Sequence, residues 1–298
     1  PPLLQPSISF IRHFLGIIRH QTLAHAADCN SQHRMPIATL PILNGKIYAI
    51  FEASLIRAAQ SNKDLSFVPF IEEFARGELG FNAGIERILK ENEVVPKVFP
   101  ANRTGTAPHF IHSMNVSALK YVAEELSRIR ADEDLVISNV YYWVRDLLTV
   151  ATCEALYGQK NPIRQDRGLI NDLWLFDRDL PLFLFGLFPI ITAPKAYLAR
   201  ERLQTALGEY YSESGDRDKK AAGITNHRVE VLRENGIRGA TVSDLELSFL
   251  HVATSNTIPT LFWFFSFIVT RPELVSRLRD EALAIVDYGS GESIIIKV

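Results

Sequence analysis

Two runs of strand-like residues, 37–43 and 46–51, flank Asn44-Gly45. Both turn residues tolerate positive φ, so the pattern predicts a β-hairpin closed by a type I′ turn. Elsewhere the spacing of apolar positions is helical. A proline-rich then apolar stretch ends at Gly16, and a histidine-bearing helix is expected over 17–32. Residues 53–61 predict a helix. Residues 70–107, with four glycines at 77, 80, 84 and 105, predict short helices and loops. From Pro108 the period is helical again through Leu119, Val122 and Leu126, and 137–157 predict a strong helix ended by Asn161-Pro162. The apolar run 180–192 is cut by Pro181, Gly186 and Pro189. A long amphipathic helix follows to about Tyr211, and 212–226 predict a loop. No repeat or linker interrupts the chain, which predicts one mostly helical domain.

The stretch 243–269 is apolar nearly all round, the mark of a central buried helix. Ser243 with Glu246 reads as a capping box that starts it, and Thr270 with Glu273 as a second one starting the next helix, with Pro272 in its first turn. In its middle stands Thr254-Ser255-Asn256-Thr257-Ile258-Pro259. Pro259 has no N–H, so the Ser255 carbonyl loses its helical partner and the rod should kink there. A polar, kinked notch in an apolar helix is a candidate functional site, and a purely structural kink is the other reading.

Composition narrows the function classes. The net charge is −2, and no basic stripe marks a nucleic-acid binder. The two cysteines, Cys29 and Cys153, form no CxxC pair, which argues against a zinc site or a disulfide framework. Cys153 reads as a small buried hydrophobe and Cys29 as a thiol at or near the surface. His251 reads as a core histidine, and no histidine spacing makes a metal site. No run reaches the length of about 18 apolar residues that spans a bilayer, and the N-terminus does not read as a signal peptide.

The run from Ala253 to Trp263 resembles the oxygen-binding helix of the cytochrome P-450 family. Its nearest form is the Asn-Thr-x-Pro-x-x-Phe-Trp pattern of the sterol 7α-hydroxylase and prostacyclin synthase groups and of many fungal members. Arg271-Pro272-Glu273 resembles the start of the family's next helix. Pro1-Pro2 with Ile8 to Gly16 resembles the segment after the membrane anchor, with Ser9 and Arg12 as departures. Residues 41–51 resemble the first hairpin. Ala151-Thr152, the run Ala155 to Gly158, and Asn161-Pro162 resemble a helix end of this branch. The resemblance covers 1–286 in order, with 287–298 as an atypical tail. The fold it implies is mainly α: an incomplete cytochrome P-450 domain with a small β-hairpin near the N-terminus and a long central oxygen-binding helix.

It implies a haem-thiolate monooxygenase acting on a hydrophobic small molecule such as a sterol or terpenoid. Thr257 would stand beside the haem-bound oxygen and assist proton delivery. Asn256 would replace a common acidic residue, and an amide cannot shuttle a proton as a carboxylate does. Ala253 would face the haem plane. His109 and His112 would approach the haem propionates as a minority reading beside exposed or capping histidines. Electrons would come from NADPH through a membrane-bound flavoprotein reductase at the endoplasmic reticulum, and 180–192 would form a membrane-facing lip; simple core is the equal alternative. The family's cysteine loop is not found in the 298 residues. Glu125…Arg128 and Glu230…Arg233 match its Glu-x-x-Arg pair only in the wrong order. The expectation is therefore a chain without the axial ligand and inactive as given. The alternative is a non-catalytic remnant that binds a hydrophobic ligand or a partner.

Overall fold

The computed structural model describes residues 35–42, 45–130, 135–184, 188–288 and 294–296. The histidine-bearing helix expected over 17–32 and Cys29 lie outside them. The chain clusters into two compact units, one of residues 1–99 and 175–201, the other of 100–174 and 202–298.

The first unit opens with β1 (Ile37–Ile42) and β2 (Gly45–Ile50), an antiparallel pair. The hairpin is present with a shifted register. Ile42 faces Gly45, so the two-residue connection is 43–44, outside the described residues, and Asn44-Gly45 is not the turn pair. The observed register sets Ile37 against Ile50 at the far end of the ladder. Helices α1 (Ala53–Ser61), α2 (Val68–Leu79) and α3 (Ala83–Glu91) follow. Asn82 caps α3 by accepting from the N–H groups of Gly84 and Ile85.

Next come α4 (Val94–Gly105), α5 (Pro108–Ser127) and α6 (Val140–Tyr157). The expected helix over 137–157 is α6. Gly158, at φ 68°, ends it, rather than Asn161-Pro162. Asn161 instead accepts from the Arg164 N–H and caps the short α7 (Pro162–Gln165). Then come α8 (Gly168–Leu184), which contains Pro181, α9 (Pro189–Thr192) and α10 (Pro194–Ser212). The expected loop 212–226 shortens to a 3-10 turn and a packed connection, because α11 (Gly223–Glu234) already begins at Gly223.

The central helix is two helices, α12 (Ala240–Ser255) and α13 (Thr257–Val269), broken at Asn256. Pro259 thereby falls in the first turn of α13, where a missing N–H costs nothing. The chain continues through α14 (Pro272–Ile285) to a small antiparallel pair, β3 (Val286–Tyr288) and β4 (Ile294–Ile296). The fold is mainly α, with the expected hairpin near its start.

Both capping boxes are corrected. Helix α12 starts one turn before Ser243, after Gly239 at φ 61°. The Ser243 hydroxyl donates to the Ala240 carbonyl, and the Glu246 carboxylate is spent on Arg228. The Thr270 hydroxyl closes α13 by donating to the Ser266 and Phe267 carbonyls.

In the second unit α6 is the hub, in contact with α5, α11, α12 and α13. Its core includes Val150, Cys153, Leu156 and Tyr157, joined by Leu203, Leu207, Leu232, Leu247 and Leu250. Helix α4 ends against the start of α11: a Cβ on Gly105 would lie 2.3 Å from the Ile224 Cα, so only glycine permits this approach.

The uniform burial expected for 243–269 holds only for the first half. Helix α12 buries Leu247, Leu250, His251 and Thr254, whereas Ile258 is the one buried residue of α13. Ala240–Val269 also contains an 18-residue window that, at a mean hydropathy of 1.4, is apolar enough to cross a membrane by length and composition. This corrects the expectation that no segment would be, although a core helix passes the same test. Glu246 and His251 are buried in α12, but only 11% of the apolar window lies buried.

Candidate active site

The break at Asn256 sorts the hydroxyls of the notch. Thr254 is buried, and its hydroxyl donates to the Leu250 and His251 carbonyls at 2.9 and 3.1 Å. The Thr260 hydroxyl donates to the Asn256 carbonyl at 2.8 Å. Thr257 lies between them, is exposed, and makes no such backbone bond. The half-buried Ser255 hydroxyl makes no such bond either, so Thr257 carries the exposed uncommitted hydroxyl of the notch. Asn256 is also exposed, and Ala253, one turn earlier, is half-buried.

Exposed positions then recur at helical spacing along α13: Thr257, Leu261 and Phe264 in one row, with Trp263 (71% exposed) and Phe267 alongside. The opposite side is packed. Ile258 is buried, and the Phe262 ring meets Tyr141 of α6 edge-on, with centroids 5.0 Å apart. The result is a broad apolar face with a hydroxyl and a carboxamide at one end.

His109 and His112 stand elsewhere. They line a cavity of about 600 Å³ formed by α5, the end of α6, Arg164 and residues 219–223. Ala253, Asn256 and Thr257 do not line it, so the five expected site residues are not brought together in one cavity. Lys219 and Lys220 line it too. They were missed because 212–226 read as loop; the adjacent lysine pair before a helix start was the available signal.

Cys153 is fully buried on α6, as its apolar surroundings suggested. Burial pushes its thiol far above the usual range, with Glu154 adding to the effect, so it stays protonated. His251 is buried at 5% exposure, in keeping with a core histidine. Of the two Glu-x-x-Arg matches, Arg128 pairs with Glu125 at 2.8 Å on an exposed face. Arg233 turns instead to Asp216 at 2.6 Å.

Fold and site together describe a mainly α protein whose long broken helix presents an apolar face ending in Asn256-Thr257. No family model matches the chain. Across all 298 residues it is 39% identical to a cytochrome P450 monooxygenase of Gibberella zeae, covering 56% of that protein. It is 25% identical over 289 residues to the cytochrome P450 monooxygenase nodJ of Hypoxylon pulicicidum, covering 97% of this chain and 55% of that protein. A third relative is the 5-beta-cholestane-3-alpha,7-alpha-diol 12-alpha-hydroxylase of Sus scrofa, 26% identical over 245 residues, with 74% of this chain and 46% of that protein covered. The curated relatives are cytochrome P450 monooxygenases, similar to this chain across all or nearly all of its length, and the chain spans about half the length of the relatives it matches.

Haem fits the residues unevenly. The half-buried Ala253 and exposed Thr257 leave room beside an apolar wall. Cys153 does not fit as its thiolate, being protonated and enclosed in the core.

Proposed function

We propose that the chain is the oxygen-side part of a haem-thiolate monooxygenase that oxidises a hydrophobic small molecule. The observation that carries this is the break at Asn256, which leaves the Thr257 hydroxyl uncommitted at the end of an open apolar face. The haem, when bound, would supply oxygen activation, with thiolate ligation favouring O–O cleavage. Ala253 would give a flat approach to it. The Thr257 Oγ1 would hold a proton at the oxygen, and the Asn256 amide would orient that proton without relaying it. Leu261 and Phe264 would shelter an apolar substrate from water.

In this reading electrons come from NADPH through a flavoprotein reductase at the endoplasmic reticulum surface. The lip includes Phe188, Ile190 and Ile191, which are exposed, whereas Leu180 and Phe183 of the same run are buried. Sterol oxidation is what the names of some relatives state, and it is one substrate class to test. The reading does not use His109 or His112.

The test is a chimera in which this chain replaces the corresponding part of the Gibberella zeae relative, assayed with purified reductase. Thr257→Ala should lower the product formed per NADPH and release peroxide instead, because the proton path is damaged while the haem is intact. An unchanged ratio with intact haem would remove Thr257 from the site.

A further inference from the structure

The cavity holding His109 and His112 has a composition that oxygen chemistry does not explain. Four permanent cations line it, Lys120, Arg164, Lys219 and Lys220, against two carboxylates, in a chain whose net charge is −2. The carboxylates are engaged. Glu154, nearly buried, accepts from Asn161 Nδ2 at 2.6 Å and from Arg164 Nη1 at 3.0 Å, and Glu124 sits 4.0 Å from Lys120. Among the described residues Lys219 and Lys220 have no carboxylate partner within ion-pair distance, and two imidazoles line the same cavity.

The backbone carrying these lysines is fastened down. The Ala222 N–H and the Thr225 hydroxyl both donate to the Leu156 carbonyl, at 3.0 and 2.9 Å. Gly158, at φ 68°, lets the lysine segment approach so closely that a Cβ there would lie 3.0 Å from the Lys220 carbonyl oxygen. Ordering the lysines therefore costs less than on a free loop. Gly223 lines the cavity as the first residue of α11, whose N-terminus has no side-chain cap and no acidic residue in its first turn. The positive end of that helix adds to the field of the side chains. The tilted ring pair of His109 and Phe110, with centroids 4.0 Å apart, offers an aromatic surface beside the charges. The volume of about 600 Å³ exceeds what a bare oxyanion needs and suits a drug-sized ligand.

We propose that this cavity, between α5, the end of α6 and the Lys219-Lys220 segment, binds a phosphate-bearing organic anion. The phosphate lies between the two lysines and the start of α11, and the organic part lies against His109 and Phe110. The anion is either a soluble phosphate ester or a phosphorylated lipid headgroup.

The experiment uses the whole chain at physiological salt. Pyrophosphate is titrated calorimetrically, and vesicles of phosphatidylcholine carrying phosphatidylinositol 4-phosphate are compared with vesicles carrying phosphatidylserine at equal charge. Lys219→Ala with Lys220→Ala should weaken binding at least about tenfold, since two charge-assisted contacts are lost. Lys63→Ala with Lys195→Ala, the same charge change elsewhere, should leave it intact. Melting curves check that both doubles fold. Binding of pyrophosphate supports the soluble source, and binding of the phosphoinositide vesicles alone supports the headgroup. The proposal is overturned if neither binds, if the two double variants behave alike, or if phosphatidylserine vesicles bind as well.

Discussion

The Arg228–Glu246 pair is the sharpest point at which the structure commits itself. Glu246 is completely buried on α12, and the Arg228 side chain is 13% exposed. Arg228 Nη2 donates to Glu246 Oε1 at 2.9 Å, and Nε reaches both oxygens at 3.1 and 3.2 Å. The remaining nitrogen, Nη1, donates to Asn102 Oδ1 at 3.0 Å, and the guanidinium lies 4.4 Å from the centre of the Phe249 ring. Arg228→Ala leaves the buried carboxylate without its counter-charge, which costs about 3–5 kcal/mol. Replacing both residues with methionine removes attraction and desolvation together and should cost less than either single change. Urea unfolding followed by the fluorescence of the three tryptophans measures all three variants. If Glu246 were the exposed helix cap that its spacing from Ser243 suggests, Arg228→Ala would cost under about 1 kcal/mol, the worth of a surface pair. That value, or a double variant as costly as the two singles summed, would refute the assignment.

Other outcomes follow from burial. Tyr157, Tyr210 and Tyr211 are buried, and desolvation pushes all three phenols up. A raised native pKa means stability that is complete below the ordinary tyrosine value of about 10 and is lost as pH rises above it. Urea midpoints should fall above that pH, and Tyr157→Phe with Tyr211→Phe should flatten the fall; a wild-type midpoint level through the range contradicts the burial. For the lip, Phe188, Ile190 and Ile191 changed together to serine should reduce flotation with liposomes without altering the melt. Phe183→Ser should instead destabilise the fold by about 3–5 kcal/mol, as for loss of a buried phenylalanine, and equal flotation by the triple variant and wild type would reject the lip.

Element type was largely legible because it depends on local period. The helices at 53–61, 108–127 and 140–157 follow their apolar spacing, and the hairpin follows its β-branched runs. What failed depends on partners that lie far along the chain. The spacing of Ser243 and Glu246 fits a cap, but nothing nearby in sequence reveals that Arg228, 18 residues earlier, takes the carboxylate. Asn44-Gly45 has the right turn chemistry, yet Gly45 pairs with Ile42 inside the ladder, a different register. The notch was visible because polar residues and a proline interrupt an apolar run. The cavity was not, since Lys219 and Lys220 acquire a role only when Gly158 and Leu156 hold their backbone in place.

The two halves of the long helix invert the usual arrangement, and the inversion bears on how Thr257 could act. In α12 the polar groups are inside and satisfied: Glu246 by Arg228, Thr254 by two carbonyls. In α13 the apolar groups are outside, with Leu261, Trp263, Phe264 and Phe267 all exposed. Single exposed apolar residues need no explanation, but a set that shares one helical face marks a surface suited to an apolar partner. Thr257 stands at the end of that face nearest the break, where an apolar ligand would displace water from around it. A hydroxyl in that position would face a dry environment, and hydrogen bonds strengthen there. Had Pro259 been one turn further along, inside α13, the lost carbonyl partner would fall within the apolar face. Placed where it is, the proline leaves the wall beyond Thr257 continuous, and Asn256 itself stays in the right-handed helical region, at φ −96° and ψ −40°.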